Sequence, residues 1–334
     1  MRILVTGATG FIGLSLVKAL SRLDHEIFCL IRGTSKTQEV EKLKVKLVIA
    51  DITDNFFLDK VFAEIKPEVV YHCAAEVTEK NESVLSQINV GGTRNICECC
   101  LKYNTERLIY TSSVAVISGN KDVPLTEDLP YVATSPYGRS KIESEKVVLE
   151  YRDKGLNVVI IRPCMVYGED EPHAMDDFFD LIKKRRLPLL KILEADSKLH
   201  LVYLENVVQV LLYALTKKEA LTGTFMVADK EVLTVKRFLE ISYDEMSRSK
   251  PPVIPSWIMK PVMLISPVRR IIKAFMKDRA YDISRAVNVL GYKPEFSTEE
   301  ALRRTIRHWK MKTPVKSDKK PVSMKKRMDP SDCL

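Results

Sequence analysis

Residues Thr6–Gly13 read TGATGFIG and directly follow a short apolar run. The glycines at positions 7, 10 and 13 allow the chain to turn tightly, a pyrophosphate to approach the backbone, and the next helix to pack on the strand. The start of that helix offers free N–H groups and a positive dipole end to phosphates. A glycine triplet alone is weak evidence, but a strand before it and a helix after it favour a dinucleotide-binding turn over a purely structural one.

The first 165 residues alternate short apolar runs with segments of helical periodicity. Continuously apolar strands indicate burial on both faces, as in a parallel sheet covered by helices. The predicted fold class is therefore α/β, a Rossmann-like doubly wound parallel sheet. Predicted strands are Arg2–Thr6, Glu26–Ile31, Val45–Ala50, Glu68–His72, Arg107–Thr111 and Asn157–Arg162, and predicted helices include Phe11–Leu23, Glu82–Tyr103 and Tyr137–Lys154.

Beyond residue 165 the pattern loosens into helices and short strands, which predicts a smaller mixed α/β substrate-binding lobe. The predicted domains are residues 1–165 for dinucleotide binding, mainly 166–312 for substrate, and 313–334 as a disordered basic tail. The predicted helices of the lobe are Asp176–Arg186, Glu205–Lys218, Val235–Met246 and Thr298–Lys312. Charges and prolines interrupt the apolar run Val253–Phe275, so we interpret it as part of the substrate cleft and not as a transmembrane span; peripheral membrane contact stays open.

The net charge of +9 is concentrated in two segments. Residues 310–334 carry eight basic and three acidic side chains, and residues 250–281 carry seven and one, which leaves −2 for the rest. No basic groove is implied, so a nucleic-acid partner is not expected.

The amino terminus does not resemble a signal peptide and the seven cysteines show no paired framework, so we expect a cytoplasmic protein. The histidines lack metal-ligand spacing, and no metal is predicted.

The end of the second predicted strand bears on the choice of nucleotide. NAD sites usually place an acidic residue there to bind the ribose 2′-hydroxyl. This chain instead has Ile31 followed by Arg32. An arginine can pair with a 2′-phosphate through two parallel hydrogen bonds. The sequence therefore indicates NADP(H) over NAD(H), with a solvated strand-end arginine as the alternative.

Tyr137 and Lys141 lie near the start of a predicted helix, where a spacing of four places both side chains on one face. Tyr213 and Lys217 have the same spacing, so spacing alone does not identify a catalytic pair. Tyr137, however, follows the serine-bearing strand end Thr111–Ser113 in a chain with a dinucleotide turn. We therefore predict that Tyr137 and Lys141 belong to the active site.

Seven motifs in this order resemble those of the extended short-chain dehydrogenase/reductase family, which includes nucleotide-sugar epimerases, 3β-hydroxysteroid dehydrogenases and dihydroflavonol-type reductases. They are TGATGFIG (6–13), ADITD (50–54), HCAAEV (72–77), NVGGT (89–93), YTSSVAV (110–116), YGRSK (137–141) and RPCMVYG (162–168), and LGYKP (290–294) is a further match. The resemblance covers about residues 1–310. It implies an NAD(P)-dependent oxidoreductase, epimerase or dehydratase.

The resemblance also implies roles for individual residues, carried over by position. The catalytic set is Ser113, Tyr137 and Lys141. The cofactor-binding set, with Arg32 included, is Gly7, Thr9, Gly10, Phe11, Ile12, Gly13, Arg32, Asp51, Ile52, Ala74, Ala75, Thr111, Ser112, Tyr137, Lys141, Pro163 and Val166. The substrate set is Glu76, Val77, Ser113, Val114 and His200.

The chemistry of hydride transfer accounts for the catalytic residue types. Hydride transfer to a carbonyl leaves negative charge on oxygen, so an acid must supply a proton. With its usual pKa of about 10, tyrosine is a poor acid–base group at neutral pH, and we expect the Lys141 ammonium to lower the pKa of Tyr137. Ser113 can hydrogen-bond the substrate oxygen and hold it in place.

The sequence leaves the reaction type open. One hypothesis is NADP(H)-linked hydride transfer to or from a carbonyl or secondary alcohol of an apolar or cyclic substrate. Another is epimerisation or dehydration of a nucleotide sugar with tightly bound NAD. Nucleotide-sugar members of the family usually carry an arginine where this chain has Leu199 and His200. This difference weakens the nucleotide-sugar hypothesis but does not exclude it. A non-catalytic dinucleotide-binding regulator is a further alternative. Similar proteins are usually dimers, but no motif here identifies a homodimer.

Overall fold

The computed structural model describes residues 1–78, 81–121, 123–172, 175–183, 197–217, 222–247 and 278–313. Its strands are β1 (Arg2–Thr6), β2 (Glu26–Ile31), β3 (Lys46–Ile49), β4 (Val69–His72), β5 (Arg107–Thr111), β6 (Val158–Pro163), β7 (Met165–Tyr167), β8 (Lys198–Leu199), β9 (Leu201–Tyr203), β10 (Thr224–Val227) and β11 (Leu233–Thr234). Its α-helices are α1 (Phe11–Leu20), α2 (Asn55–Ile65), α3 (Glu82–Leu85), α4 (Gly92–Lys102), α5 (Pro136–Asp153), α6 (Met175–Lys183), α7 (Leu204–Thr216), α8 (Val235–Glu245) and α9 (Thr298–Lys312).

The largest sheet has seven parallel strands in the order β3-β2-β1-β4-β5-β6-β10. The chain runs from β1 outward to β3 and then returns to β4 on the other side of β1. This reversal leaves a crevice at the carboxyl ends of β1 and β4, where doubly wound sheets bind their ligands. The predicted α/β fold class is thus confirmed.

Both faces of this sheet are covered, which explains the continuously apolar strands. In β1, Ile3 and Val5 pack in one buried cluster, whereas Leu4 packs in the other because successive side chains point to opposite faces. Helix α1 packs beside α7 on one face, and α4 packs with α2 and α5 on the other. Strand β3 is shorter than predicted and has exposed residues, since it lies at the edge of the sheet.

Two segments differ from the elements predicted for them. The single helix predicted for Glu82–Tyr103 is α3, a π-helical segment Ser86–Gly91, and α4. Strand β10, from the part of the chain assigned mainly to the substrate lobe, pairs with β6 and extends the main sheet. The domain division after residue 165 stays a prediction.

The remaining described elements pack around a third apolar cluster, which includes Phe179, Phe238 and Trp309. Strands β8 and β11 pair antiparallel, and β7 pairs parallel with β9. The run Val253–Phe275 and the tail beyond residue 313 lie outside the described residues. Within the described ranges, no helix is both long and apolar enough to cross a bilayer.

Candidate active site

The TGATGFIG stretch forms a tight turn between β1 and α1. Gly7 has φ of +69°, and a Cβ atom there would lie 2.7 Å from the backbone nitrogen of Ala74. A Cβ atom at Gly13 would lie 2.1 Å from the carbonyl oxygen of Gly7, which also accepts a 2.9 Å hydrogen bond from Gly10 N. Any side chain at position 7 or 13 would therefore displace backbone, as the predicted roles of these glycines require.

A cavity of about 490 Å³ extends from this turn along the carboxyl ends of the strands. Eight of the predicted cofactor residues line it, namely Gly7, Thr9, Gly10, Arg32, Asp51, Ile52, Ala74 and Ala75. Phe11 and Ile12 begin α1, Thr111 ends β5 and Ser112 follows it, Pro163 ends β6, and Val166 lies in β7. The cavity also contacts Ser35, Thr53, Cys73 and Gln87, which the sequence analysis did not select.

Arg32 lies at the rim of this cavity and is exposed to solvent. Its backbone N–H donates to the Ser35 Oγ at 3.0 Å, so the two residues form one compact turn. Among the described residues, no carboxylate forms an ion pair with its guanidinium. The nearby Asp51 carboxylate accepts hydrogen bonds from Thr53 N and Oγ1, at 2.9 and 2.7 Å. A cationic side chain is thus available where the second strand ends.

The residues present fit a bound dinucleotide. Gly7 and Gly13 keep the turn free of side chains, so a pyrophosphate can reach the backbone. The buried Ser112 Oγ has no hydrogen-bond partner among the described residues. A buried hydroxyl without a partner is destabilising, and a polar ligand in the crevice would satisfy it.

The catalytic residues predicted from sequence meet at the carboxyl end of β5. The Ser135 Oγ caps α5 by accepting from Gly138 N at 3.0 Å, which places Tyr137 in the first turn and Lys141 one turn later. The Ser113 Oγ accepts from Ala115 N at 3.1 Å and begins the short 3₁₀ helix Val114–Ile117. The Ser113 side chain also interacts with Tyr137 and lowers the pKa of its phenol.

The pKa of Tyr137 differs from the sequence-based expectation. Burial raises it from its usual value to about 12, and the interaction with Ser113 offsets only part of this rise. Lys141 does not contribute to this shift in the pKa of Tyr137, and its Nζ donates to the carbonyl oxygen of Thr111 at 2.8 Å. Tyr137 is therefore held as a neutral phenol at neutral pH, the form that donates a proton.

Lys141 is 2% exposed, and its Nζ lies 4.3 Å from the centre of the Tyr110 ring. Burial lowers the pKa of Lys141 to about 7, since the charged ammonium loses water. The Glu145 carboxylate and the Cys73 thiol act on this pKa in the opposite direction. The protonation of Lys141 is thus sensitive to nearby charges.

Two features of the site were missed in the sequence. Asn89, in the π-helical segment, accepts from Glu76 N at 2.8 Å and donates to Glu76 O and Ser140 Oγ, both at 2.9 Å. It therefore joins the loop after β4 to α5, the helix that carries the predicted catalytic pair. The second feature is a buried ion pair between Glu145 of α5 and Arg162 of β6. The motif NVGGT contained Asn89, but no spacing rule connects residues 145 and 162.

The predicted substrate residues lie in different surroundings. Glu76 lines the cofactor cavity, Val77 is exposed, and Val114 is buried beside Ser113. His200 is buried in the smaller lobe, where its Nδ1 accepts from Tyr281 N at 3.0 Å and its Nε2 donates to Asp229 O at 2.7 Å. A polar contact between His200 and a substrate would replace one of these bonds.

The competing pair, Tyr213 and Lys217, lies near the amino-terminal end of β5, opposite the end that adjoins the predicted site. Arg107, the first residue of β5, donates to the carbonyl oxygens of Ala214 and Leu215, which adjoin Tyr213. The predicted catalytic residues instead surround Thr111, the last residue of β5. Position in the fold therefore separates the two pairs.

Comparison with known proteins agrees with this architecture. The family model described as NAD dependent epimerase/dehydratase matches residues 3–228. The chain is 25% identical to the sterol-4-alpha-carboxylate 3-dehydrogenase of Schizosaccharomyces pombe, over 91% of this chain and 96% of the relative. It is 28% identical to the UDP-glucose 4-epimerase of Vibrio cholerae, over 91% and 94%. The Bordetella bronchiseptica enzyme WbmG, solved with NAD, has the same fold, with a TM-score of 0.78 at 21% identity over 93% and 94%.

Proposed function

Because the chain belongs to the NAD-dependent epimerase/dehydratase family, an enzyme family that uses a nicotinamide dinucleotide, we propose that it is an NADP(H)-linked oxidoreductase. The reaction is hydride transfer to or from a carbonyl or secondary alcohol of an apolar or cyclic substrate. The observation that carries the proposal is Arg32, a cation without a carboxylate partner among the described residues, at the rim of the dinucleotide cavity. Its guanidinium matches the geometry and charge of a 2′-phosphate.

The residues at the carboxyl end of β5 have separate tasks in this reaction. When bound, the cofactor supplies or accepts the hydride, and the protein controls position and proton flow. Tyr137, which is protonated at neutral pH, donates the proton to the substrate oxygen in the reductive direction. Ser113 holds the same oxygen by a hydrogen bond. Lys141, fixed by its bond to the carbonyl oxygen of Thr111, holds the cofactor beside Tyr137.

An apolar or cyclic substrate is supported by the Schizosaccharomyces pombe relative, whose name specifies a sterol carboxylate as its substrate. Leu199 occupies a position where nucleotide-sugar members usually carry an arginine. It is 2% exposed and pairs with Leu233 of β11. A buried leucine in a strand pair cannot bind a pyrophosphate, which favours the oxidoreductase.

Nucleotide-sugar epimerisation with tightly bound NAD is the second candidate, and the similarity to the Vibrio cholerae UDP-glucose 4-epimerase favours it. The two candidates differ in how firmly the cofactor is held. An epimerase returns the hydride within each turnover and has no need to release its cofactor. Purified protein that retains NAD and converts a UDP-sugar without added cofactor would identify this second function.

Cofactor titration tests the primary proposal. We expect the wild type to bind NADPH at least about tenfold more tightly than NADH, because charge-assisted hydrogen bonds contribute about 1.5–3 kcal/mol. Replacement of Arg32 by alanine should remove this preference by weakening NADPH binding alone. Arg22→Ala, at an exposed arginine just after α1, is the control and should change neither affinity. Preference of the wild type for NADH would refute the proposal.

A further inference from the structure

A buried polar network lies behind the catalytic lysine. Arg162 Nε and Nη2 donate to the two carboxylate oxygens of Glu145, at 2.9 and 2.6 Å. The Tyr131 hydroxyl donates to the same carboxylate at 2.7 Å. The side chains of Glu145 and Arg162 are 0% and 5% exposed. The carboxylate is therefore fixed on three sides by hydrogen bonds and excluded from water.

The guanidinium of Arg162 is also fixed. Its remaining nitrogen, Nη1, donates to the backbone oxygen of Glu127 at 2.9 Å, and the guanidinium lies 5.5 Å from the centre of the Tyr131 ring. The backbone N–H of Met226 in β10 donates to Glu127 Oε1 at 2.9 Å. The ion pair thus connects the catalytic helix α5 to β6 and, through Glu127, to β10.

Glu145 follows Lys141 by four residues on α5, so the two side chains share one helix face. The other titratable groups around Lys141 come from three elements. They are Tyr137 one turn earlier on α5, His72 and Cys73 at the end of β4, and Tyr110 of β5. Burial keeps each of these four groups neutral at pH 7, because it lowers the pKa of His72 and raises the pKa values of Cys73, Tyr110 and Tyr137. Glu145 therefore supplies the nearby negative charge.

We propose that Glu145 is a positioning residue for the active site, whose carboxylate, fixed by Arg162 and Tyr131, keeps the Lys141 ammonium charged and bonded to Thr111. A purely structural ion pair could be replaced by apolar side chains of similar volume without loss. An anion one helical turn from a buried lysine has an additional effect, because it opposes the loss of the lysine's proton. The inference holds for either candidate reaction, since both need a charged Lys141.

The test follows the titration of Lys141 directly and needs no substrate. Lysine labelled with ¹³C at Cε is incorporated, and the Lys141 signal is assigned by its absence from a Lys141→Met sample. The nearby Tyr110 ring should shift this signal away from those of the solvated lysines. We expect the midpoint of Lys141 to fall by about one pH unit or more in Glu145→Gln, because removing an adjacent opposite charge disfavours the ammonium.

Two control variants separate charge from packing. Tyr131→Phe removes a hydrogen bond from the same carboxylate but no charge, and Glu143→Gln removes an exposed charge from the same helix. Tyr131→Phe should lower the Lys141 midpoint by much less than Glu145→Gln does, and Glu143→Gln should leave it unchanged. An unchanged midpoint in Glu145→Gln, or an equal fall in Tyr131→Phe, would overturn the proposal.

Glu145→Gln leaves Arg162 buried without an anion and can fail to fold. The double variant Glu145→Gln with Arg162→Met removes both charges and covers that outcome. The midpoint of Lys141 should still fall in the double variant, since it is Glu145 that raises the pKa of Lys141. A wild-type midpoint in this folded double variant would equally reject the assignment.

Discussion

Gly13→Ala tests the physical basis of the dinucleotide turn. The new Cβ would lie 2.1 Å from the carbonyl oxygen of Gly7 and 2.8 Å from its carbonyl carbon, whereas ordinary contacts begin at 3.4 Å. The turn or α1 must therefore move by more than 1 Å at this point. Because the opposing atoms are backbone, no side-chain rotation relieves the overlap.

The expected loss of stability combines two opposing effects. Overpacking of a tight interior contact costs about 1–3 kcal/mol and more where the backbone must shift. Alanine is favoured over glycine inside a helix by about 1 kcal/mol, and position 13 is the third residue of α1. We therefore expect a net loss of about 2 kcal/mol in the free energy of unfolding. Displacement of the turn should also weaken cofactor binding by at least about tenfold, because the phosphate-binding backbone moves.

Urea unfolding followed by circular dichroism and cofactor titration followed by fluorescence measure the two effects. Gly33→Ala is the matched control, because an added Cβ there meets no atom within 4 Å. That variant should be as stable as the wild type or more stable by up to about 1 kcal/mol, through the unfolded state. If Gly13→Ala unfolds like the wild type and binds cofactor equally well, the steric reasoning is wrong.

Two further predictions concern the proton donor and a histidine behind it. Tyr137→Phe should reduce turnover by about 10²–10⁴-fold with little change in cofactor affinity, whereas Tyr213→Phe should have no effect on turnover; near-normal turnover of Tyr137→Phe in a steady-state assay would remove its assigned role. His72, bonded to Thr6 at 2.7 Å and Thr93 at 3.0 Å, has its pKa lowered to about 3 by burial and by the charge of Lys141. Since the unfolded state binds a proton below about pH 6.5, stability should be complete above that pH and fall by at most about 1.4 kcal/mol per unit as the pH drops toward 3. Urea unfolding from pH 7.5 to 5 should show a shallower decline in His72→Gln, and equal slopes would contradict this explanation.

The fold could be predicted from the sequence largely because the central strands are buried on both faces. The bounds of β1, β2 and β5 were predicted to the residue, since every residue after the first in each of these runs is buried. Strand β10 was not predicted, because its four residues carry no periodicity that distinguishes a sheet strand from part of a separate lobe. Its place beside β6 is decided by contacts between distant parts of the chain.

The candidate site shows the same contrast between local and distant interactions. Tyr137 and Lys141 could be selected because helix geometry fixes their relation. The pKa of Tyr137 was wrongly expected to be lowered, because burial by several elements outweighs local neighbours. The Glu145–Arg162 pair was missed for a similar reason. Side-chain hydrogen bonds between a helix and a strand leave no periodic signal in the sequence.

The position of β10 has a consequence for how the protein is synthesised. Strand β6 has one neighbour, β5, until residues 224–227 arrive on its other side. During translation, the nucleotide-binding turn and the catalytic helix leave the ribosome well before that strand does. Any sheet that forms before residues 224–227 emerge has β6 as an unpaired edge, and such edges attract other strands. The surroundings of Arg162 also depend on this strand. Arg162 donates to the backbone oxygen of Glu127, and the backbone N–H of Met226 in β10 donates to the Glu127 carboxylate. The polar network behind the predicted catalytic pair is thus completed only when residues 224–227 are in place.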